Sequence, residues 1–175
     1  MNITTQIHDT LHAWIKAVTG LSDGHIIPDK ENSPEPTGNF FVINSTVSDV
    51  PIGLEDEVAY AASGQYTLRA IRERRVSLHA YGPNALALMS MVQLTPDLPS
   101  VRRLFAAARL AVIDVGNVQD LSALKSARYE QRAQMDVRLR YTLTLTEAVT
   151  TIDSIQFGVS VNLGGVIDTV SGQAP

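Results

Sequence analysis

From Met135 to Leu145 the side chains alternate between apolar and polar at every step. Met135, Val137, Leu139, Tyr141, Leu143 and Leu145 fall on one face of an extended chain, and Asp136, Arg138, Arg140, Thr142 and Thr144 on the other. A period of two gives a strand one buried and one polar face, and no helix can segregate it. A second run follows, with Ile155, Phe157, Val159, Val161 and Leu163 alternating with Gln156, Gly158, Ser160 and Asn162. The C-terminal third therefore reads as a long amphipathic β-ribbon, and the rest of the chain must supply an apolar layer for it. Its polar face holds no histidine, no carboxylate pair and no nucleophile beside a base, so it is expected to work by shape and contact.

The layer is available upstream. Ile3, Ile7, Leu11, Trp14, Ile15 and Val18 recur at spacings of three and four, which predicts an amphipathic helix with Asn2 or Thr4 as cap and Gly20 as its C-terminal stop. Pro83 is suited to a first helical position, and Ala85, Leu88, Met89 and Val92 form a second stripe; Pro99 starts a third helix along Val101, Leu104, Phe105 and Ala108. Strands are expected over Asn39–Val47, Tyr66–Tyr81 and Ala111–Val115, with irregular stretches at residues 21–39, 48–65 and 116–126. This order predicts an α+β fold, a mostly antiparallel β-sheet covered on one face by helices, with long loops. One domain is expected over residues 1–163, with a small polar tail, 164–175, loosely held.

With 45% hydrophobic and 18% charged residues the chain can build a real core. Its formal net charge of −4, from 14 Lys and Arg against 18 Asp and Glu, disfavours a general nucleic-acid binder. The absence of cysteine excludes disulfides and thiolate metal sites. No charged segment followed by an apolar one marks a signal peptide, and the longest apolar stretch, near Leu104–Val115, is interrupted by Arg109 and Asp114, so a soluble cytoplasmic product with no membrane partner is expected.

His8 and His12 stand four apart on the first helix, a two-histidine metal spacing, and a small metal-dependent hydrolase is the alternative they raise. Asp9 is too short to serve well as the base and no third ligand announces itself, so a solvated helix face is the simpler reading, and no catalytic residue, metal or cofactor is assigned. Charge supplies the better candidates. Arg69, Arg72, Arg74 and Arg75 cluster on one strand, with Arg102 and Arg103 as a second group, and Glu55, Asp56 and Glu57 form an acidic triplet in a loop. Arg132, Asp136, Arg138 and Arg140 lie on or at the entry to the ribbon's polar face. Glu55, Asp56, Glu57, Arg72, Arg74, Arg75, Arg132, Asp136, Arg138 and Arg140 are the expected subunit or partner interface, with a protein favoured over nucleic acid.

Three stretches in this order carry a resemblance. They are the helix Ile7-His8-Asp9-Thr10-Leu11-His12-Ala13-Trp14-Ile15, the strand-to-helix passage Arg75-Val76-Ser77-Leu78-His79-Ala80-Tyr81-Gly82-Pro83-Asn84-Ala85, and the ribbon entry Tyr129-Glu130-Gln131-Arg132-Ala133-Gln134-Met135-Asp136-Val137. Together, over about residues 3 to 163, they resemble the neck or tail-terminator proteins of tailed bacteriophages. The resemblance implies a structural virion protein made in the host cytoplasm. It would form a ring, a hexamer, at the head-proximal end of the tail, where it halts tail-tube polymerisation and joins the tail to the head-tail connector. Its implied partners are its own copies, the tube protein and the connector or adaptor, with a sheath partner in a contractile tail and DNA only as passing cargo. Another head-completion or minor tail protein is the alternative within the same class.

Overall fold

The computed structural model describes residues 2–29, 34–53, 56–61, 65–125, 128–148, 155–163 and 166–174, with side chains for these except 56–61, 125, 128 and everything beyond 148. Helix α1 (Ile3–Thr19) starts at Asn2, whose Oδ1 accepts from the Thr4 amide at 2.9 Å, and stops at Gly20, whose φ of +73° lets its N–H reach the Lys16 carbonyl. Both ends thus satisfy backbone groups that a helix terminus otherwise leaves open. A 3-10 turn (Asp23–His25) leads into β1 (Ile26–Pro28), and β2 follows at Phe40–Pro51. The chain continues through β3 (Asp56–Ala61), β4 (Gln65–Tyr81), α2 (Ala85–Leu94) and α3 (Pro99–Ala107). It ends with β5 (Ala111–Val115), β6 (Gln119–Asp120), β7 (Ala123–Lys125), β8 (Arg128–Glu130), β9 (Arg132–Ala148), β10 (Ile155–Leu163) and β11 (Val166–Ala174).

The main sheet runs β1-β2-β4-β9-β5, with β3 also on β4 and β6 also on β9. β1 lies parallel to β2, whereas β2–β4, β5–β9 and β6–β9 are antiparallel. The fold is α+β, as the element order predicts. Its core forms on one sheet face, where Phe41, Ile43, Val76, Leu78, Ala80, Ala133, Met135, Val137 and Leu139 meet Ile7, Leu11, Trp14 and Ile15 of α1, Met89 and Val92 of α2, and Phe105 of α3. Each such aliphatic side chain withdrawn from water contributes about 1.5–3 kcal/mol. Trp14 meets the Phe105 ring edge-on at 5.5 Å and donates its indole N–H to Thr95 Oγ1 at 3.0 Å, so its polar edge is not stranded in the core.

The backbone gathers into two compact units, Met1–Glu55 with Arg69–Leu143, and Asp56–Leu68 with Thr144–Pro175, so the division falls within the long strands β4 and β9. In the second unit β10 pairs antiparallel with β11, Ile155 facing Ala174 and Leu163 facing Val166.

Several local expectations are corrected. The irregular stretch 48–65 contains the end of β2 and all of β3, and the connection 116–126 holds β6 and β7. Among the described residues the two alternating runs lie in separate sheets, β9 with β4, β5 and β6 and β10 with β11. Residues 166–174 form β11, paired with β10, and Gly164 and Gly165 lie outside the described residues. Pro83 precedes α2, whose N-cap is Asn84. The turn there needs glycine at residue 82: φ is +99°, and a Cβ would strike the Gly38 carbonyl and stand 2.8 Å from Asn39 Oδ1.

Candidate functional site

Alternation along β4 divides the predicted arginine cluster between opposite faces of the sheet. Arg72 and Arg74 point to the helix side and Arg75 to the other, so these arginines do not share one face. Arg74 is only 5% exposed. Its Nη2 donates to Asp49 Oδ2 at 2.6 Å, its Nε to the same oxygen at 3.2 Å, and its Nη1 to Thr4 Oγ1 at 2.9 Å. The Arg72 Nε donates to Asp49 Oδ1 at 3.0 Å, and the Tyr141 hydroxyl donates to Asp49 Oδ2 at 2.7 Å. Burial pushes the Asp49 carboxyl up, but hydrogen bonds from Arg74, Tyr141 and Arg72 outweigh it and hold the group below its ordinary value. Burial, reinforced by the hydrogen bond to Asp49, raises the Tyr141 phenol. This cluster ties α1, β2, β4 and β9 together; it is a joint of the fold.

The other face of the sheet is not covered by the helices and carries a second set of charged side chains. Glu73 receives Arg138 Nη1 at 3.3 Å and Arg140 Nη2 at 3.1 Å, and Arg138 Nε reaches Asp114 Oδ2 at 3.3 Å. Further along, Gln134 donates to Ser77 Oγ at 3.1 Å, and Arg132 approaches His79 Nδ1 at 3.1 Å while lying over the Tyr81 ring, 5.3 Å from its centroid. The Tyr81 ring is stacked on Phe40 at 4.8 Å. Burial first, and the Arg132 charge second, lower the His79 pKa, so the imidazole is held neutral with Nδ1 as acceptor. Arg132 Nε, Asp136 Oδ1 and Arg140 Nε, all on this face of β9, are out of water without a hydrogen-bond partner among the described residues. Arg75 is exposed and makes no ion pair among the described residues.

Backbone irregularities aim two of the carboxylates. Asn44 faces Ser77 and Ser48 faces Arg75, so β2 takes four steps while β4 takes two, which brings Asp49 opposite Arg74. In β5, Val112 faces Leu139 but Asp114 faces Arg138, so one extra residue turns Asp114 onto the charged face. Sequence reasoning missed Asp49, Glu73, Asp114 and His79 as members of these clusters. Glu73 alone had a signal, because it alternates with Arg72 and Arg74; the other acids depend on bulges that no pattern announces.

The remaining candidates separate. Glu55 lies outside the described residues, and Asp56 and Glu57 are described only as backbone at the start of β3. Arg69 and Arg103 are exposed, and Arg102 pairs with Asp97 at 2.7 Å in solvent. His8 and His12 stand with ring centroids 6.2 Å apart; His8 contacts Asp9 at 3.4 Å, and His12 lies 3.7 Å from Asp23, a carboxylate already held by Lys16 at 2.7 Å. Among the described residues no three His, Cys, Asp or Glu side chains converge as a metal site. No helix among them is long and apolar enough to cross a membrane.

These features define an α+β module with a helix-backed sheet whose uncovered face carries a cluster of arginines and carboxylates. The family model for phage neck terminator proteins matches residues 5–165, and the chain belongs to that family. Membership gives it a structural role in the phage neck, in contact with other neck and tail proteins. No curated protein matches the chain.

Proposed function

We propose that the protein closes into a ring, a hexamer, at the head-proximal end of the tail. There it stops tail-tube polymerisation and presents a surface to the head-tail connector. The observation that carries this reading is the family match, which runs over almost the whole chain, residues 5–165. The charged sheet face supports it, because a ring is built by head-to-tail contact between two different surfaces of one subunit. The partners are further copies of the chain, the tail tube protein and the connector, with a sheath where the tail contracts; DNA passes through without being held. The protein is made in the host cytoplasm and ends in the virion neck.

Negative-stain electron microscopy of the purified protein tests this reading. Closed rings that decorate one end of tail tubes are expected, and phage lacking the protein should make tubes of uncontrolled length. A chain that stays monomeric and never associates with tail components would overturn it. Location elsewhere in the particle, read by labelling, would instead favour a head-completion or minor tail role within the same family class.

A further inference from the structure

The two units differ sharply in charge. Asp56–Leu68 and Thr144–Pro175 hold Asp56, Glu57, Glu147, Asp153 and Asp168 but no lysine or arginine, a formal charge of −5. All 14 basic residues lie in the other unit, which the chain total of −4 leaves at +1. Within that basic unit, four arginines share the uncovered sheet face: Arg75 of β4 and Arg132, Arg138 and Arg140 of β9. Glu73, Asp114 and Asp136 offset only part of their charge. Arg75 and Arg138 are exposed, as is Glu147 near the end of β9.

We infer that in the assembly the acidic unit of one copy docks on the arginine-bearing sheet face of the next copy. One chain carries both members of the pair, each on its own unit, and a heterologous contact that repeats around a ring requires two different partners of this kind. Opposite charge sets the register of such a contact and disfavours the face-to-face alternative, in which arginines would meet arginines. The contact involves a segment with no basic residue at all, so a copy cannot repel its neighbour by a cation there. The inference rests on the ring reading of the previous subsection and specifies the surfaces that form the ring.

Charge reversal with full-length protein tests it, read by mass photometry and electron microscopy at low and high salt. Arg75→Glu with Arg138→Glu reverses the face; Glu57→Lys, Glu147→Lys and Asp168→Lys together take the acidic unit from −5 to +1. Each variant alone should lose rings, with association weakened at least about tenfold per reversed charge. Mixing the two should restore closed rings, because the reversed face then meets the reversed unit while the remaining surfaces still match. Circular dichroism checks that both variants fold. Arg75→Glu alone, at a side chain with no ion pair among the described residues, carries the same test if the double variant does not fold. Rings kept by the single variants, or no rescue on mixing, overturn this interface while leaving the ring reading intact. A wild-type protein that stays monomeric overturns both.

Discussion

Replacing Asp49 by asparagine removes one charge from the joint between α1, β2, β4 and β9 while keeping side-chain size. Arg74 would be left with its guanidinium buried and its counter-charge gone; its side chain is 6% exposed and that of Asp49 is 21%. Breaking a buried pair from one side costs about 3–5 kcal/mol, and the partial exposure of Asp49 favours the lower end, about 3 kcal/mol. For a chain of 175 residues that corresponds to a fall in melting temperature of about 6–12 °C. In urea it is a midpoint shift of about 1–1.5 M. The single tryptophan, Trp14, is fully buried in the same core, so its fluorescence reports unfolding of this unit. An apolar replacement of the cluster, Asp49→Leu with Arg74→Met and Tyr141→Phe, should lose less than Asp49→Asn, because no unpaired charge remains inside. A midpoint shift below about 0.3 M for Asp49→Asn, or a larger loss in the apolar variant, would refute the assignment of Asp49 as the counter-ion on which Arg74 depends.

Tyr141→Phe keeps the ring beneath Arg74 but deletes the 2.7 Å hydrogen bond to Asp49, and should cost about 1.5–2 kcal/mol in the same urea assay. Gly82→Ala should destabilise by more than about 2 kcal/mol, since a positive φ and a backbone collision coincide; Gly20→Ala, with open space around the Cβ, should cost about 1 kcal/mol, and equal losses would contradict the collision. His79 has a folded pKa below its unfolded one, so its contribution is complete above about pH 6.5 and is lost as pH falls through the folded value. Asp49 follows the same sign lower down, its contribution being lost only below about pH 4. Urea midpoints measured from pH 7.5 to 5 should therefore decline in the wild type and decline less in His79→Gln; an unchanged slope in that variant would count against the neutral imidazole.

The elements were largely readable from period and punctuation. The stripe on α1, its Asn2 and Gly20 ends, the proline that opens α3 and the alternation through β4 and β9 all reappear in the fold, because each follows from geometry within one turn or one strand. What went unread depends on neighbours. Arg74 and Arg75 are adjacent and chemically alike, yet one is buried against Asp49 and the other exposed, and only the helix layer makes the two faces different. The alternation of β9 runs unchanged from Met135 to Leu145, but burial stops after Tyr141: Leu143 is 37% exposed and Leu145 60%. A period tells which side chains share a face; it does not say how far along the strand something lies against that face.

By itself the sequence determined the helices, the long strands β4 and β9, the α+β class and the concentration of basic residues outside the acidic C-terminal region, since these follow from residue type and spacing along one chain. Tertiary structure decided strand partners, sheet faces and ion pairs. Two of the carboxylate–arginine matches, Asp49 with Arg74 and Asp114 with Arg138, depend on extra residues at a bulge. A shift of register changes which groups meet without changing a single propensity, so only the folded sheet could fix them.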